Sequence, residues 1–209
     1  MKIGIHIGFP KCFSTSIQRS LFIKHPQIYY LGAGHNNNNI DYISKRIENL
    51  FEYHLRYSKR IHFQKKLKEL KKLVKKYKSI AKKKGKKIVV ISNEILCIKL
   101  TPHDIDPYEK ARRLKLLFGS KSKIIIIIKN QKHQIISMYK EAVKLGYPNK
   151  FNAYVDFLIK TRFNFYLGDF FYDNTYEIYS EFFSKGNIKI IQFEDFLNEK
   201  NLILNQNLS

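Results

Sequence analysis

Acidic residues are scarce in this chain of 209 residues: 17 Asp and Glu stand against 39 Lys and Arg, a formal net charge of +22. An excess of that size suggests a nucleic-acid partner until it is located. From Lys59 to Lys87, fifteen Lys and Arg accompany one acid, Glu69, so this stretch carries +14 and the other 180 residues carry +8. The charge is concentrated rather than spread over a groove, and nucleic acid is not the expected partner. Cysteine is also sparse. Cys12 and Cys97 cannot build a disulfide framework and read as reduced thiols in a cytoplasmic compartment. Long apolar runs are missing: the longest aliphatic run, Ile124 to Ile128, is far shorter than the roughly 20 residues that span a bilayer. The start, Met1-Lys2, lacks the apolar region of a signal peptide. No cluster with zinc spacing appears among the seven histidines, and no metal is expected. These absences leave a soluble chain read as a single domain over 1–209, long enough to bury a core without covalent staples.

What is present is organised around Ile3 to Phe22. Ile3, Ile5 and Ile7 read as a strand, Gly8-Phe9-Pro10-Lys11 turns the chain, and Ser14-Thr15-Ser16 opens a segment in which Ile17, Leu21 and Phe22 share one helical face. Strand, tight loop and helix start form an anion site, because the first helical N–H groups lack partners and the macrodipole adds partial positive charge. Lys11 adds a mobile cation. The plain alternative is an ordinary turn with a stray lysine. The ATP-binding loop G-x-x-x-x-G-K-[ST] is not matched, since Lys11 lies three residues after Gly8 and no second Gly follows. Cys12 sits near the helix start without a Cys/His/Asn pattern, and packing is its expected role.

Further along, Gly32 to Asn39 reads as a loop by composition. Asp41 to Tyr57 reads as a helix with Asp41 as N-cap. Residues 60 to 84 read as a basic amphipathic helix that presents Leu67, Leu70, Leu73, Val74, Tyr77 and Ile80 on one side. That helix is a solvated face, a clamp for an acidic polymer or a membrane-surface element. Lys87 to Glu94 reads as a buried parallel strand that ends in polar residues, which places Glu94 on the same rim as Lys11. Arg112 and Arg113, on a helix from Glu109 to Phe118, read as surface residues, and His6 reads as core. Lys123 to Ile128 is the clearest strand. Lys129 follows it, with Ser137 eight residues on. Ile188 to Phe193 reads as the last strand.

The run G-F-P-K-x-x-S-T-S resembles the 5′-phosphosulfate loop of sulfotransferases that use 3′-phosphoadenosine 5′-phosphosulfate (PAPS), usually G-x-P-K-x-G-T-T. Phe13 stands where Gly is usual, and Ser14 replaces Thr. Ser92-Asn93-Glu94 resembles the family's S-S-E. Lys129-Asn130-Gln131 with Ser137, Tyr139 and Gly146 resembles its 3′-phosphate segment, with Lys129 in place of Arg. The resemblance runs from Lys2 to about Leu197. It implies an α/β fold with a P-loop-kinase-like parallel sheet of four or five strands flanked by helices, and a basic helical insertion over about 40–87. It implies sulfuryl transfer from PAPS to a hydroxyl or amine, leaving 3′-phosphoadenosine 5′-phosphate (PAP), with a cell-surface carbohydrate as acceptor and no metal. Lys11 and Glu94 would be catalytic. Gly8, Pro10, Lys11, Cys12, Phe13, Ser14, Thr15, Ser16, Lys129 and Ser137 would bind the nucleotide. The family's closing C-terminal loop is expected to be shortened or absent. Two other classes stay open: a nucleotide kinase, and a non-catalytic anion or nucleic-acid binder on a degenerate sulfotransferase fold.

Overall fold

The computed structural model of the chain describes residues 1–36, 39–99, 101–161 and 171–195. One sheet of five parallel strands runs in the order β2-β5-β1-β6-β7. Its strands are β1 (Lys2–His6), β2 (Ile28–Tyr30), β5 (Ile88–Ser92), β6 (Lys123–Ile128) and β7 (Ile188–Gln192). The Ile and Val runs of β1, β5 and β6 suit strands covered on both faces, and Ile3, Ile5, Val89, Val90, Ile91, Ile124, Ile126 and Ile127 are buried in one core. β1 is central, with Ile5 opposite Ile91 on one side and Ile124 on the other. The chain leaves β1 towards β2 on one side of the sheet, and leaves β6 towards β7 on the other. The crevice between the carboxyl ends of β1 and β6 is therefore the topological switch point, where open parallel sheets bind ligands.

Two sequence expectations change here. Ala33–Asn36 (β3) and Asn39–Tyr42 (β4) pair as an antiparallel ribbon, not a loop. Backbone N–H and C=O groups need partners whatever side chains they carry, and ladder pairing supplies them here without an apolar pattern to announce it. The following helix, α2 (Lys45–Asn49), is capped by Ser44, whose hydroxyl accepts the Ile47 N–H at 3.3 Å, and not by Asp41. A π-helical turn (Leu50–His54) extends α2.

The long basic helix α3 (Arg60–Lys83) buries Phe63, Leu70, Leu73, Val74, Tyr77 and Ala81 and leaves its lysines outside. It packs on β5 and on α4 (Pro107–Phe118). α4 starts at Asp106, whose carboxylate accepts the Glu109 N–H at 2.7 Å, with Pro107 in the first turn as helix starts favour. Arg112 and Arg113 are not surface residues. Arg113 is 1% exposed, and its guanidinium donates to the His54 carbonyl (2.5 Å), Ser58 Oγ (2.8 Å), the Ser58 carbonyl (2.8 Å) and Glu109 Oε1 (2.8 Å). Arg112 is half-buried and forks onto the same carboxylate. Five guanidinium donors let an arginine enter a core wherever carbonyls converge, and a pattern of apolar spacing does not show that.

α5 (Gln131–Lys144), α6 (Phe151–Thr161) and α7 (Tyr172–Phe182) complete the described elements. Tyr154 and Leu158 of α6 pack with Ile135, Met138 and Tyr139 of α5 in a separate small cluster. Phe163, Phe165, Tyr166 and Phe170 lie outside the described residues, as does the segment after Asp195 where the shortened closing loop is expected. Among the described residues, no helix is long and apolar enough to cross a membrane.

Replacing Arg113 by Met leaves the buried carbonyls of residues 54 and 58 without its guanidinium, while Glu109 keeps Arg112, so Arg113→Met is expected to lower unfolding free energy by about 3 kcal/mol. The exposed Lys121→Met is expected to stay within about 0.5 kcal/mol. Urea denaturation of the two variants checks the contrast.

Candidate active site

The loop after β1 holds two non-glycine residues in left-handed backbone, Lys11 (φ 62) and Phe13 (φ 67). Between them Cys12 turns inward, its N–H donating to the Phe9 carbonyl at 3.2 Å. Burial pushes the Cys12 thiol up to about 12, with Lys129 pulling it down and Glu94 and Glu194 pushing it further up. It is a packed thiol and no nucleophile.

α1 (Ser14–Ile17) starts directly after Phe13 and runs into a π-helical turn (Gln18–Phe22). The first intrahelical bond is Ile17 N–H to the Phe13 carbonyl, 3.1 Å. The N–H groups of Ser14, Thr15 and Ser16 precede it, and such groups lack intrahelical acceptors. The Ser14 hydroxyl is buried without a hydrogen-bond partner. Gly8 is required by close approach: a Cβ there would sit 2.6 Å from His6 Nε2 and 3.0 Å from Ser14 Oγ. Phe13 takes the left-handed conformation that glycine adopts most cheaply. Its ring, 41% exposed, points away from the core and meets Phe193 at 5.3 Å.

The loop after β6 converges on the same crevice. Lys129 Nζ lies 5.3 Å from the centre of the Phe193 ring, so that ring touches Phe13 and Lys129 together. Glu194 Oε1 accepts the Asn130 N–H at 3.0 Å. Gln134, buried on α5, donates to the Pro10 carbonyl at 3.0 Å, and the single Tyr172 hydroxyl proton is shared between two acceptors, the Lys129 carbonyl (2.8 Å) and the carboxamide oxygen of Gln134. Ser137 is half-buried on α5. One helical turn further, Glu141 pairs with Lys11, Nζ to Oε2 3.0 Å, in a half-exposed ion pair. Sequence reasoning missed Glu141, although its place four residues after Ser137 puts the two on one helix face. It also missed Phe193 as the link between the loops, and no local signal connects residues so far apart in the chain.

Glu94 follows β5 and opens a single 3₁₀ turn (Glu94–Leu96), capped by Asn93, whose side-chain oxygen accepts the Ile95 N–H at 3.0 Å. Burial raises the Glu94 carboxyl above its ordinary value, while the neighbouring Ser14 hydroxyl and Lys11 ammonium oppose the shift. Ser14 stands near this carboxylate but outside good bonding geometry. Lys110 anchors the turn from below. Fully buried on α4, it donates to the Ile95 carbonyl at 2.6 Å and the Ile98 carbonyl at 2.5 Å. Burial lowers its ammonium to about 8 against the pull of Asp104. The signal was available: Lys110 lies on the apolar stripe Lys110, Ala111, Leu114, Leu117, Phe118 of α4.

Behind the loop, His6 Nδ1 meets Ser92 Oγ at 2.7 Å, and Ser92 Oγ accepts from Gln18 Nε2 at 2.9 Å. His6 is 1% exposed, and burial lowers it to about 4, so the imidazole is neutral.

These elements define an open parallel α/β protein whose helix-start loop and second cationic loop share the switch point. Its backbone is similar to that of a sulfotransferase from Alicyclobacillus acidocaldarius, with a TM-score of 0.59 over 97% of this chain and 77% of that one. At 17% sequence identity the likeness shows a sulfotransferase-like fold. No protein-family model matches the chain, and no curated protein matches it.

Below pH 6.5 the unfolded chain protonates at His6, while the folded chain stays neutral to about pH 4. The unfolded state then binds more protons, so stability falls as pH drops through that window, by on the order of 3 kcal/mol from this group. Denaturant titrations from pH 7 to pH 4 are expected to show that slope in the wild type and a shallower one in His6→Gln, where His54, also lowered by burial, still contributes.

Proposed function

We propose that this chain is a PAPS-dependent sulfotransferase that moves a sulfuryl group to a hydroxyl or amine of an acceptor, with carbohydrate as the acceptor class and the cytoplasm as its compartment. One observation carries the reading: two cationic loops, at Lys11 and Lys129, rise from neighbouring strands at the switch point and meet on one aromatic ring, with a carboxyl of raised pKa beside them. An adenosine bisphosphate needs two separated phosphate sites, and this crevice offers two separated cations. The fit is supported by the Ser14 hydroxyl, a buried donor beside Glu94 and beside N–H groups that open a helix.

When bound, PAPS supplies the sulfuryl group. The remaining chemistry falls to the chain. The loop backbone at Gly8, Pro10, Cys12 and Phe13 shapes the cradle, although the Cys12 N–H is already committed to Phe9. The N–H groups of Ser14 to Ser16 and their hydroxyls hold the 5′ end, and Lys11 neutralises charge that develops there. Lys129 and Ser137 hold the 3′-phosphate. Lysine contributes a point charge where arginine would grip bidentately, so discrimination for that phosphate is weaker than an arginine would give. Glu94 takes the proton of the acceptor hydroxyl, a role that its raised pKa suits.

A second reading, binding without turnover, is favoured by the Lys11–Glu141 pair and by the stacking of Lys129 on Phe193. Both cations have partners of their own in this structure.

PAP is expected to raise the melting temperature more than ATP does, and equal shifts would point to another nucleotide enzyme. Lys11→Ala is expected to abolish sulfuryl transfer while leaving the fold intact, and a near-normal rate in that variant removes the mechanism. Binding of PAP without any single-turnover product selects the second reading. Glu141→Gln frees Lys11 from a half-exposed, solvent-screened pair. Calorimetry is expected to show PAP binding up to about fivefold tighter in that variant, most clearly at low salt.

A further inference from the structure

Away from the rim, a cavity of about 260 Å³ opens between the π-helical turn that follows α2 and the outer side of α3. None of the rim residues lines it. Its apolar part is Leu70 and Leu73. Three cations reach it, Arg46 from α2 and Lys72 and Lys76 from successive turns of α3, against one acid, Glu69. That carboxylate is taken by Lys66 at 2.9 Å. Like charges one helical turn apart repel, and the low-dielectric wall beside them sharpens the effect. Glu69 also faces Arg46, so it offsets part of this charge, and a net positive excess is left among the residues described at this cavity. The cavity has a second unmet demand. His54, only 8% exposed, lines it and carries a buried Nδ1 without a hydrogen-bond partner. Leaving a buried polar atom unmet is destabilising.

We propose that this cavity binds a small amphipathic anion: one sulfonate, sulfate, phosphate or carboxylate group on a compact aryl or short alkyl body. Leu70 and Leu73 take the apolar body, and Arg46, Lys72 and Lys76 take the charge, with His54 in the wall. The volume limits the body to about the size of one ring, since pockets for larger, drug-sized ligands run from roughly 300 to 1,000 Å³. The site stands independently of the sulfuryl-transfer reading, because it shares no residue with the rim.

Calorimetry of the full chain with benzenesulfonate, its neutral analogue benzenesulfonamide and inorganic sulfate tests the proposal. Benzenesulfonate is expected to bind at one saturable site, with the amide and bare sulfate each at least tenfold weaker. Lys72→Gln/Lys76→Gln, two exposed substitutions, is expected to weaken benzenesulfonate at least tenfold and leave the PAP-induced melting shift unchanged. Three results overturn it: no binding of benzenesulfonate, equal affinity for all three probes, or full affinity in the double variant. Loss of benzenesulfonate binding in Lys11→Ala alone would place the ligand at the rim and overturn it equally. Failure of PAP to bind would leave these outcomes untouched, so the two readings fail separately.

Discussion

The left-handed backbone at Lys11 and Phe13 is the constraint on which the site depends. Each L-residue in that conformation costs of order 1 kcal/mol or more, and it persists only where the surroundings determine it. Here those surroundings are buried side chains on either side of the turn: Phe9 edge-on to Tyr172 at 4.7 Å, Cys12 in the core and Ile17 on the helix. Because Cys12 must point inward, its two neighbours must point outward. Lys11 then reaches α5, and Phe13 reaches the end of β7. The same turn delivers Ser14 to the start of a helix with its hydroxyl beneath the loop.

Rim geometry follows from sheet order rather than from local sequence. β1 lies between β5 and β6, so three carboxyl ends with chemistry to offer, those leading to Lys11, Glu94 and Lys129, stand side by side. Each is then held by a group that reaches it from another element. Gln134 and Tyr172 tie the two cationic loops to each other, and Lys110 ties the Glu94 turn to α4. Pre-organisation of this kind places charge before a ligand arrives, which is where most electrostatic stabilisation in active sites originates.

Much of the fold was legible because it rests on patterns of one residue type. The isoleucine and valine runs of β1, β5 and β6, and the apolar stripe of α3, are periodic enough to read directly. The β3–β4 ribbon was not, since its Gly, His and Asn residues pair through backbone alone. Arg113 was misread because its burial depends on carbonyls of residues 54 and 58, which no reading of α4 by itself contains. In the candidate site, Gly8, Lys11, Ser14, Glu94, Lys129 and Ser137 could be named from spacing and resemblance. The groups that position them, Glu141, Phe193 and Lys110, act across the sheet, and only the assembled fold brings them near.

Phe193 and Glu194 stand at the end of β7, the last strand along the chain among the described residues and an edge of the sheet. During translation the loops at Lys11 and Lys129 emerge long before the ring they share. A nascent chain can therefore form β1, β5 and β6 in register while Phe13 and Lys129 still lack their common neighbour. The crevice therefore takes its final shape only after β7 has joined the sheet, so a late-added edge strand completes what two earlier loops began.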